Sequence, residues 1–259
     1  MRPKRLPRRL GHGEEATLVE HLSELRSRLV ISLGALVPAF IVCFAFHERI
    51  VRWLARPLPD DRTLVTLGVT EPFTTSIKVA LLAAVAITLP ILLYQLWSFL
   101  APAITEEAQR TVSVFVVLAT ALFAGGVSFC YFIILPKALQ FLTSFDDDLY
   151  EIQIRASYYY SFTAVTLLAT GLAFQMPIFI LALVRLRVLT ADRLRRNRRI
   201  GIVLMVVFAV LLPTVDPVSL ALEVVPLLLL FELSIWLSTV MERRWERAAY
   251  EEDNPYLPA

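Results

Sequence analysis

Residues 21–29 read HLSELRSRL and run directly into the uncharged stretch Leu29–Phe46. Thr17, followed three residues later by Glu20, has the spacing of a capping box, in which each side chain satisfies an unpaired amide of a first helical turn. A helix is therefore predicted to start near Leu18. Along it, Leu18, Leu22, Leu25 and Leu29 recur at helical spacing as one apolar stripe, while Glu20, Glu24 and Arg28 share a flank. The segment is an amphipathic lead-in to a long apolar run, which puts its charges at a membrane face.

Composition makes the same demand of the rest of the chain. Of 259 residues, 57% are hydrophobic and 19% charged, with a mean hydropathy of +0.65, so lipid is the solvent of most side chains. A membrane-crossing helix needs about 20 mainly apolar residues. Leu29–Phe46, Val79–Leu100 and Thr111–Leu135 approach or meet that length. Ser157–Val184 makes a fourth span, interrupted only by Gln175, and Val218–Leu237 a sixth that carries Glu223 and Glu232. The fifth, Ile200–Leu212, has only 13 residues. At 1.5 Å per residue such a helix reaches about 20 Å, against a hydrocarbon core of about 30 Å. Arginines precede it and Pro213–Pro217 follow, which favours a short span with local bilayer thinning and a tight turn into the sixth over a re-entrant helix. The predicted fold is an all-α integral membrane protein of six transmembrane helices, a single domain over residues 1–259. Residues 1–17 are a basic extension and 240–259 a tail, both expected to be flexible.

Charge placement predicts orientation. Of the 25 Lys and Arg, 18 fall in residues 1–28, at Arg110, in Arg185–Arg199 and after Leu237, whereas Arg49, Arg52, Arg56, Arg62, Lys78, Lys137 and Arg155 occupy the opposite loops and span edges. By the positive-inside rule both termini are cytoplasmic. The Arg185–Arg199 run reads first as this orientation signal, with lipid-headgroup or partner binding as the alternative. No cleavable signal peptide is visible, because the first apolar run is long and lacks a small-residue cleavage site. Cys43 and Cys130 both sit within spans, as buried free thiols rather than a disulfide framework.

Proline recurs inside the spans at Pro38, Pro90, Pro177 and Pro226, each removing a backbone hydrogen bond, so kinked helices around a concavity are expected. The three histidines, His12, His21 and His47, have no metal-ligand spacing, and no Gly-rich phosphate loop or Cys cluster is present. No metal, cofactor or nucleic-acid site is expected, and neither is cofactor-dependent catalysis. Gly126-Val127-Ser128 lacks the second glycine of a nucleophile turn, so Ser128 reads as a helix-packing residue. Glu223 and Glu232 are functional candidates because a carboxylate inside a membrane is costly, with pairing to a neighbouring helix as the competing explanation. Glu223 is placed near the outer end of its span, where water reaches.

HLSELRSRL before span one, Pro57 in the first outer loop, EPFTTSIK at 71–78, LPILLYQLWSFLAPAI at 89–104 and LPTVDP at 212–217 together resemble the TatC family, core subunits of the twin-arginine protein translocase. The resemblance covers roughly residues 18–240. It implies a glove-shaped, six-span receptor, not an enzyme, that binds the twin-arginine signal peptides of folded cargo at its cytoplasmic face. It also implies TatA-type and TatB-type partners, homo-oligomers within the translocase, and export driven by the proton-motive force across a bacterial or archaeal plasma membrane (the inner membrane in a Gram-negative cell). Carried over residue by residue, Glu24 and Arg26 take the acidic and basic places of the N-terminal motif, where the competing role for Glu24 is a local pair with Arg28. Phe99 and Pro102 take places in the first cytoplasmic loop element, Pro57 and Asp216 outer-loop places, and Glu232 the glutamate of an LFE element. Two places depart from the pattern. Ala108 stands where relatives commonly carry a glutamate, which leaves Glu107, or Glu106, as the second recognition carboxylate. Gln175 stands where relatives commonly bury a glutamate in span four, so a charge-dependent role would have moved, to Glu223 or Glu232. The alternative reading is a secondary transporter of a small solute, which uses kinked helices and buried carboxylates at a midplane site.

Overall fold

The computed structural model describes residues 18–59, 62–100, 107–149, 152–185, 188–212 and 216–253. Helix α1, Leu18–Ala45, is helical from the first described residue, so its predicted start near Leu18 lies at the edge of the described residues, and it runs unbroken past Pro38. Thr17 lies outside the described residues, as does the side chain of Glu20. Leu22, Leu25 and Leu29 face outward, as lipid-facing residues do. The inner side of α1 places Leu36, Ala39, Phe40 and Cys43 against Ala80 and Ala84 of α3, Glu71–Leu100.

Between them stands α2, His47–Ala55, which the loop reading of this segment missed. Pro57 ends it. Having no N–H, Pro57 leaves Trp53 O without its i+4 donor; that carbonyl accepts from Arg56 N at 3.2 Å and from the Tyr131 hydroxyl at 2.8 Å. The amide of Leu58 tightens onto Ala55 O, and the Tyr159 hydroxyl supplies Leu54 O at 2.8 Å. The turn after α2 is thus built from a proline and two tyrosines on distant spans.

Span three is α4, Glu107–Phe129, then a wide π turn, Cys130–Ile134, then α5, Leu135–Ser144. The π turn directs Cys130, Tyr131 and Ile134 inward, where Tyr131 stacks on Trp53. A two-residue parallel ladder, β1 Leu64–Val65 with β2 Ile154–Arg155, is the one departure from an all-α chain among the described residues.

Span four is two helices, α6 Ala156–Ala173 and α7 Met176–Arg185, parted at Phe174–Gln175. Pro177 explains the break: it has no amide for Ala173 O, and its ring clashes with that carbonyl. Packing fixes the same place. A Cβ on Gly171 would stand 2.5 Å from Phe123 of α4, and one on Gly126 of α4 would stand 2.7 Å from Phe174, so each helix seats its neighbour's ring on a glycine. Gly126, rather than the exposed Ser128, is the packing residue of that segment.

The chain continues through α8, Ala191–Arg196, α9, Arg198–Leu211, and α10, Pro217–Asp253. Helix α10 carries residues 240–253, which the sequence reading treated as a flexible tail. Among the described residues, five stretches are long and apolar enough to cross a membrane: Leu22–Ala45, Glu71–Phe99, Val114–Ser144, Ala156–Arg185 and Pro217–Arg243. Helix α9 has 14 residues and remains the short one, about 21 Å long. It backs onto α10, with Gly201 so close to the Phe231 ring that no Cβ fits.

Contacts fix the direction of each rod. Arg28 near the start of α1 bonds the end of α3, so those helices are antiparallel. Glu71 at the start of α3 bonds Arg155 and Ser157 at the start of α6. Thr170 meets Glu223 and Ile180 packs on Phe231 and Ile235, so α10 runs parallel to α6 and α7, and α9 runs back against it. The starts of α1, α4 and α9 therefore point to one face of the bundle, the N-terminal face, and the starts of α3, α6 and α10 to the other.

Topology is tested by cysteine labelling, for which buried Cys43 and Cys130 give little background. Thr63→Cys is expected to react with a membrane-impermeant maleimide added outside cells, and Ala249→Cys only after lysis. Labelling of both from one side overturns the orientation.

Candidate functional site

At the N-terminal face one arginine ties α1 to α3. Arg28 lies one turn after Glu24, and its Nε and Nη2 donate to Glu24 Oε1 at 3.0 and 2.5 Å. Nη2 also donates to Ser98 O at 2.8 Å, and Nη1 reaches the backbone and side-chain oxygens of Gln95 at 3.5 and 3.4 Å. Ser98 is in the last turn of α3, where carbonyls lack an i+4 amide and the helix dipole is negative, so a guanidinium is the fitting cap. The local pair with Arg28 is present, then, but it is part of a three-way junction. Both side chains are mostly covered, Arg28 to 21% and Glu24 to 29% exposure. Oε1 of Glu24 is occupied, and Oε2 has no hydrogen bond among the described residues.

Around this junction the predicted residues are unevenly placed. Phe99 is half-buried in the last turn of α3, whereas Arg26 is exposed and takes no part in the Glu24–Arg28 pair. Pro102 and Glu106 lie outside the described residues. Glu107 is the first residue of α4, with its side chain outside the described set. Helix α4 packs along α3 through Leu93, Trp97, Ala119 and Phe123, so its start sits at the same face as Ser98.

The other candidates do not join them. Pro57 and Asp216 are at the opposite face, where Asp216 is the N-cap of α10. Its Oδ1 accepts from Ser219 N at 2.8 Å, and Pro217 follows at the first helical position, where a missing N–H costs nothing. Gln175 is 1% exposed at the α6–α7 break, and its Nε2 donates to Ala119 O at 2.9 Å. An uncharged amide serves there as the donor that bridges a broken helix to α4.

Glu223 corrects the sequence reading. It is 1% exposed and faces inward, accepting from Thr170 Oγ1 at 3.3 Å, rather than standing where water reaches. Glu232 pairs with Arg198 at the start of α9: Nε donates to Oε1 at 2.6 Å and Nη2 to Oε2. This two-pronged fork closes the α9–α10 hairpin.

Two carboxylates escaped the sequence reading. Glu71, buried at 5% exposure, accepts from the amides of Leu67 and Gly68 at 3.0 and 3.2 Å, from Arg155 Nε at 3.0 Å and from Ser157 N at 3.1 Å. It knots the loop before α3 to the start of α6 beside the β-ladder. The hydrogen bond that Arg155 donates to Glu71 holds its guanidinium above its ordinary pKa. Glu71 directly before Pro72 was legible as a first-turn acid; its partner, 84 residues on, was not. Glu242 of α10 accepts from Ala191 N with both oxygens, at 3.0 and 3.1 Å, and so anchors α8.

Residues 20–226 match the family described as Sec-independent protein translocase protein (TatC). The chain is 34% identical over 231 residues to the Sec-independent protein translocase protein TatCd of Bacillus subtilis, an overlap of 89% of this chain and 95% of that one. It is 32% identical over 244 residues to the Sec-independent protein translocase protein TatC of Magnetococcus marinus, covering 92% of this chain and 90% of that one. A crystal structure of the twin arginine translocase receptor TatC in DDM superposes with a TM-score of 0.76, at 35% identity, over 85% of this chain and 99% of that one.

Asp216 separates a structural from an electrostatic duty. Asp216→Asn keeps a good cap and should leave the thermal midpoint in detergent nearly unchanged, whereas Asp216→Ala should cost about 1 kcal/mol. Equal destabilisation by both variants would show that the charge, not the cap, is what α10 requires.

Proposed function

This chain belongs to the TatC family of Sec-independent protein translocase proteins, and from that membership we propose that it is the receptor for twin-arginine signal peptides in a bacterial or archaeal plasma membrane. It is a multi-pass membrane component of a protein translocase. The family gives no support to the solute-transporter alternative. In the proposed reading the N-terminal face is cytoplasmic, copies of the chain assemble with TatA-type and TatB-type subunits, and the proton-motive force drives export of folded cargo.

The observation that carries the recognition step is the Glu24–Arg28–Ser98 junction. A planar guanidinium offers a fork of donors that a lysine ammonium cannot reproduce. Glu24 is held by one such fork on Oε1 and keeps Oε2 for a second, which a signal-peptide arginine supplies. Two adjacent arginines call for two acids, and Glu107 at the start of α4 is the proposed second, with Glu106 as its competitor. Arg26, Phe99 and Pro102 belong to the same proposed binding face. The proposed duties of the remaining candidates are mechanical: Pro57 and Asp216 shape the outer turns, Gln175 bridges the break in span four, Glu223 ties α10 to α6, and Glu232 closes the last hairpin.

Hydrogen bonds involving charged groups contribute about 1.5–3 kcal/mol each, so losing one should weaken binding about tenfold or more. Glu24→Gln and Glu107→Gln are expected to do so for a labelled twin-arginine peptide while leaving insertion and detergent stability intact. Glu24→Lys should be worse through repulsion, a twin-lysine peptide should bind poorly to the wild type, and binding should weaken with salt. Glu106→Lys acting where Glu107→Lys does not would reassign the second acid. Normal binding by all of these variants would sink the recognition scheme.

A further inference from the structure

A second charged surface lies at the N-terminal face, away from Glu24. Helix α8 and the start of α9 carry Arg193, Arg195, Arg196 and Arg199, all exposed and without an ion pair or side-chain hydrogen bond among the described residues. Arg198, between them, is committed to Glu232. The segment is a fixed mount. Glu242 holds the Ala191 amide, the Thr190 hydroxyl accepts from Arg193 N, and Leu194 packs into the cluster of Ile180, Met205, Phe231 and Ile235. The acids beside it are exposed Asp192, and Glu232 and Glu242, both engaged, so the corner keeps an excess of positive charge.

Directly beyond these arginines, α9 exposes Ile200, Val203, Leu204, Val207, Val210 and Leu211. Spacings of three and four residues make this one apolar stripe along the helix. Cationic forks at the end of a lipid-facing stripe match a molecule that carries a phosphate at one end and acyl chains at the other. Helix α9 is also too short to cross an ordinary bilayer, so headgroups beside it are drawn toward its ends, where the arginines stand.

We propose that the α8–α9 corner is a binding site for an anionic phospholipid, its headgroup phosphate held by Arg195, Arg196 and Arg199 and its acyl chains lying along the exposed face of α9. Arginine suits the role because its planar donors pair with phosphate oxygens two at a time. The site is independent of signal-peptide recognition, and Glu24 takes no part in it.

The test is native mass spectrometry of the full chain in detergent, titrated with phosphatidylglycerol and with phosphatidylcholine. The wild type is expected to retain phosphatidylglycerol preferentially, and 0.5 M salt added before detergent exchange should erode the preference by screening. Arg195→Gln/Arg196→Gln/Arg199→Gln should lower it by at least about tenfold, the scale of several basic side chains acting on an anionic headgroup. The triple lysine variant, which keeps the charge but loses the paired donors, should fall between the wild type and the glutamine variant, and Arg49→Gln/Arg52→Gln at the opposite face should change nothing. A wild type without preference, a triple glutamine variant that keeps it, or an equal loss in the Arg49/Arg52 variant would each overturn the site. So would capture by this corner of an acidic peptide in place of the lipid at equal concentration.

Discussion

Lipid offers no hydrogen bonds, so every carbonyl or amide that leaves helical geometry inside this bundle must find a partner in the protein itself. Where the chain leaves that geometry, polar side chains gather at the same places. Where Pro57 withholds a donor from Trp53 O, the Tyr131 hydroxyl donates to that carbonyl. Where Pro177 breaks span four, Gln175 reaches across to Ala119 O. Where α10 starts, Asp216 caps it. Where the chain enters α3, Glu71 gathers two loop amides, an arginine and the first turn of α6.

The same medium changes what holds helices together. Lipid tails are as apolar as leucine, so close approach matters more than exclusion of water. The pairing of Gly171 with Phe123 and of Gly126 with Phe174 seats α4 and α6 against each other at the break, and Gly201 under Phe231 does so for α9 and α10. Polar bridging and glycine packing meet at one level of the molecule, near Gln175.

Carboxylates divide by what they touch. Glu71 is satisfied on both oxygens and Glu232 is forked by Arg198, so each is spent on the fold. Glu223 is buried against Thr170. Glu24 differs: its arginine engages one oxygen only, and that arginine also braces the end of α3. A receptor for a guanidinium needs an acid that is rigid yet not exhausted, and the proposed signal-peptide role for Glu24 rests on that arrangement.

The sequence by itself determined the solvent, the order of the apolar rods, the shortness of the fifth and, through five ordered motifs, the family. Those features are local: composition, run length and spacing along one helix are set by neighbours in the chain. It did not determine α2, the π turn or the β-ladder, because each is stabilised by partners far away in sequence, Tyr131 and Tyr159 for α2 and Ile154–Arg155 for the first strand. Nor could it assign duties among the acids. Spacing offered Arg28 to Glu24 but not Ser98, placed Glu223 in a span but not the side it faces, and left Glu71 and Glu242 unremarked. An acid's role depends on which donors the tertiary fold brings within 3 Å, and only the packing of one helix against another decides that.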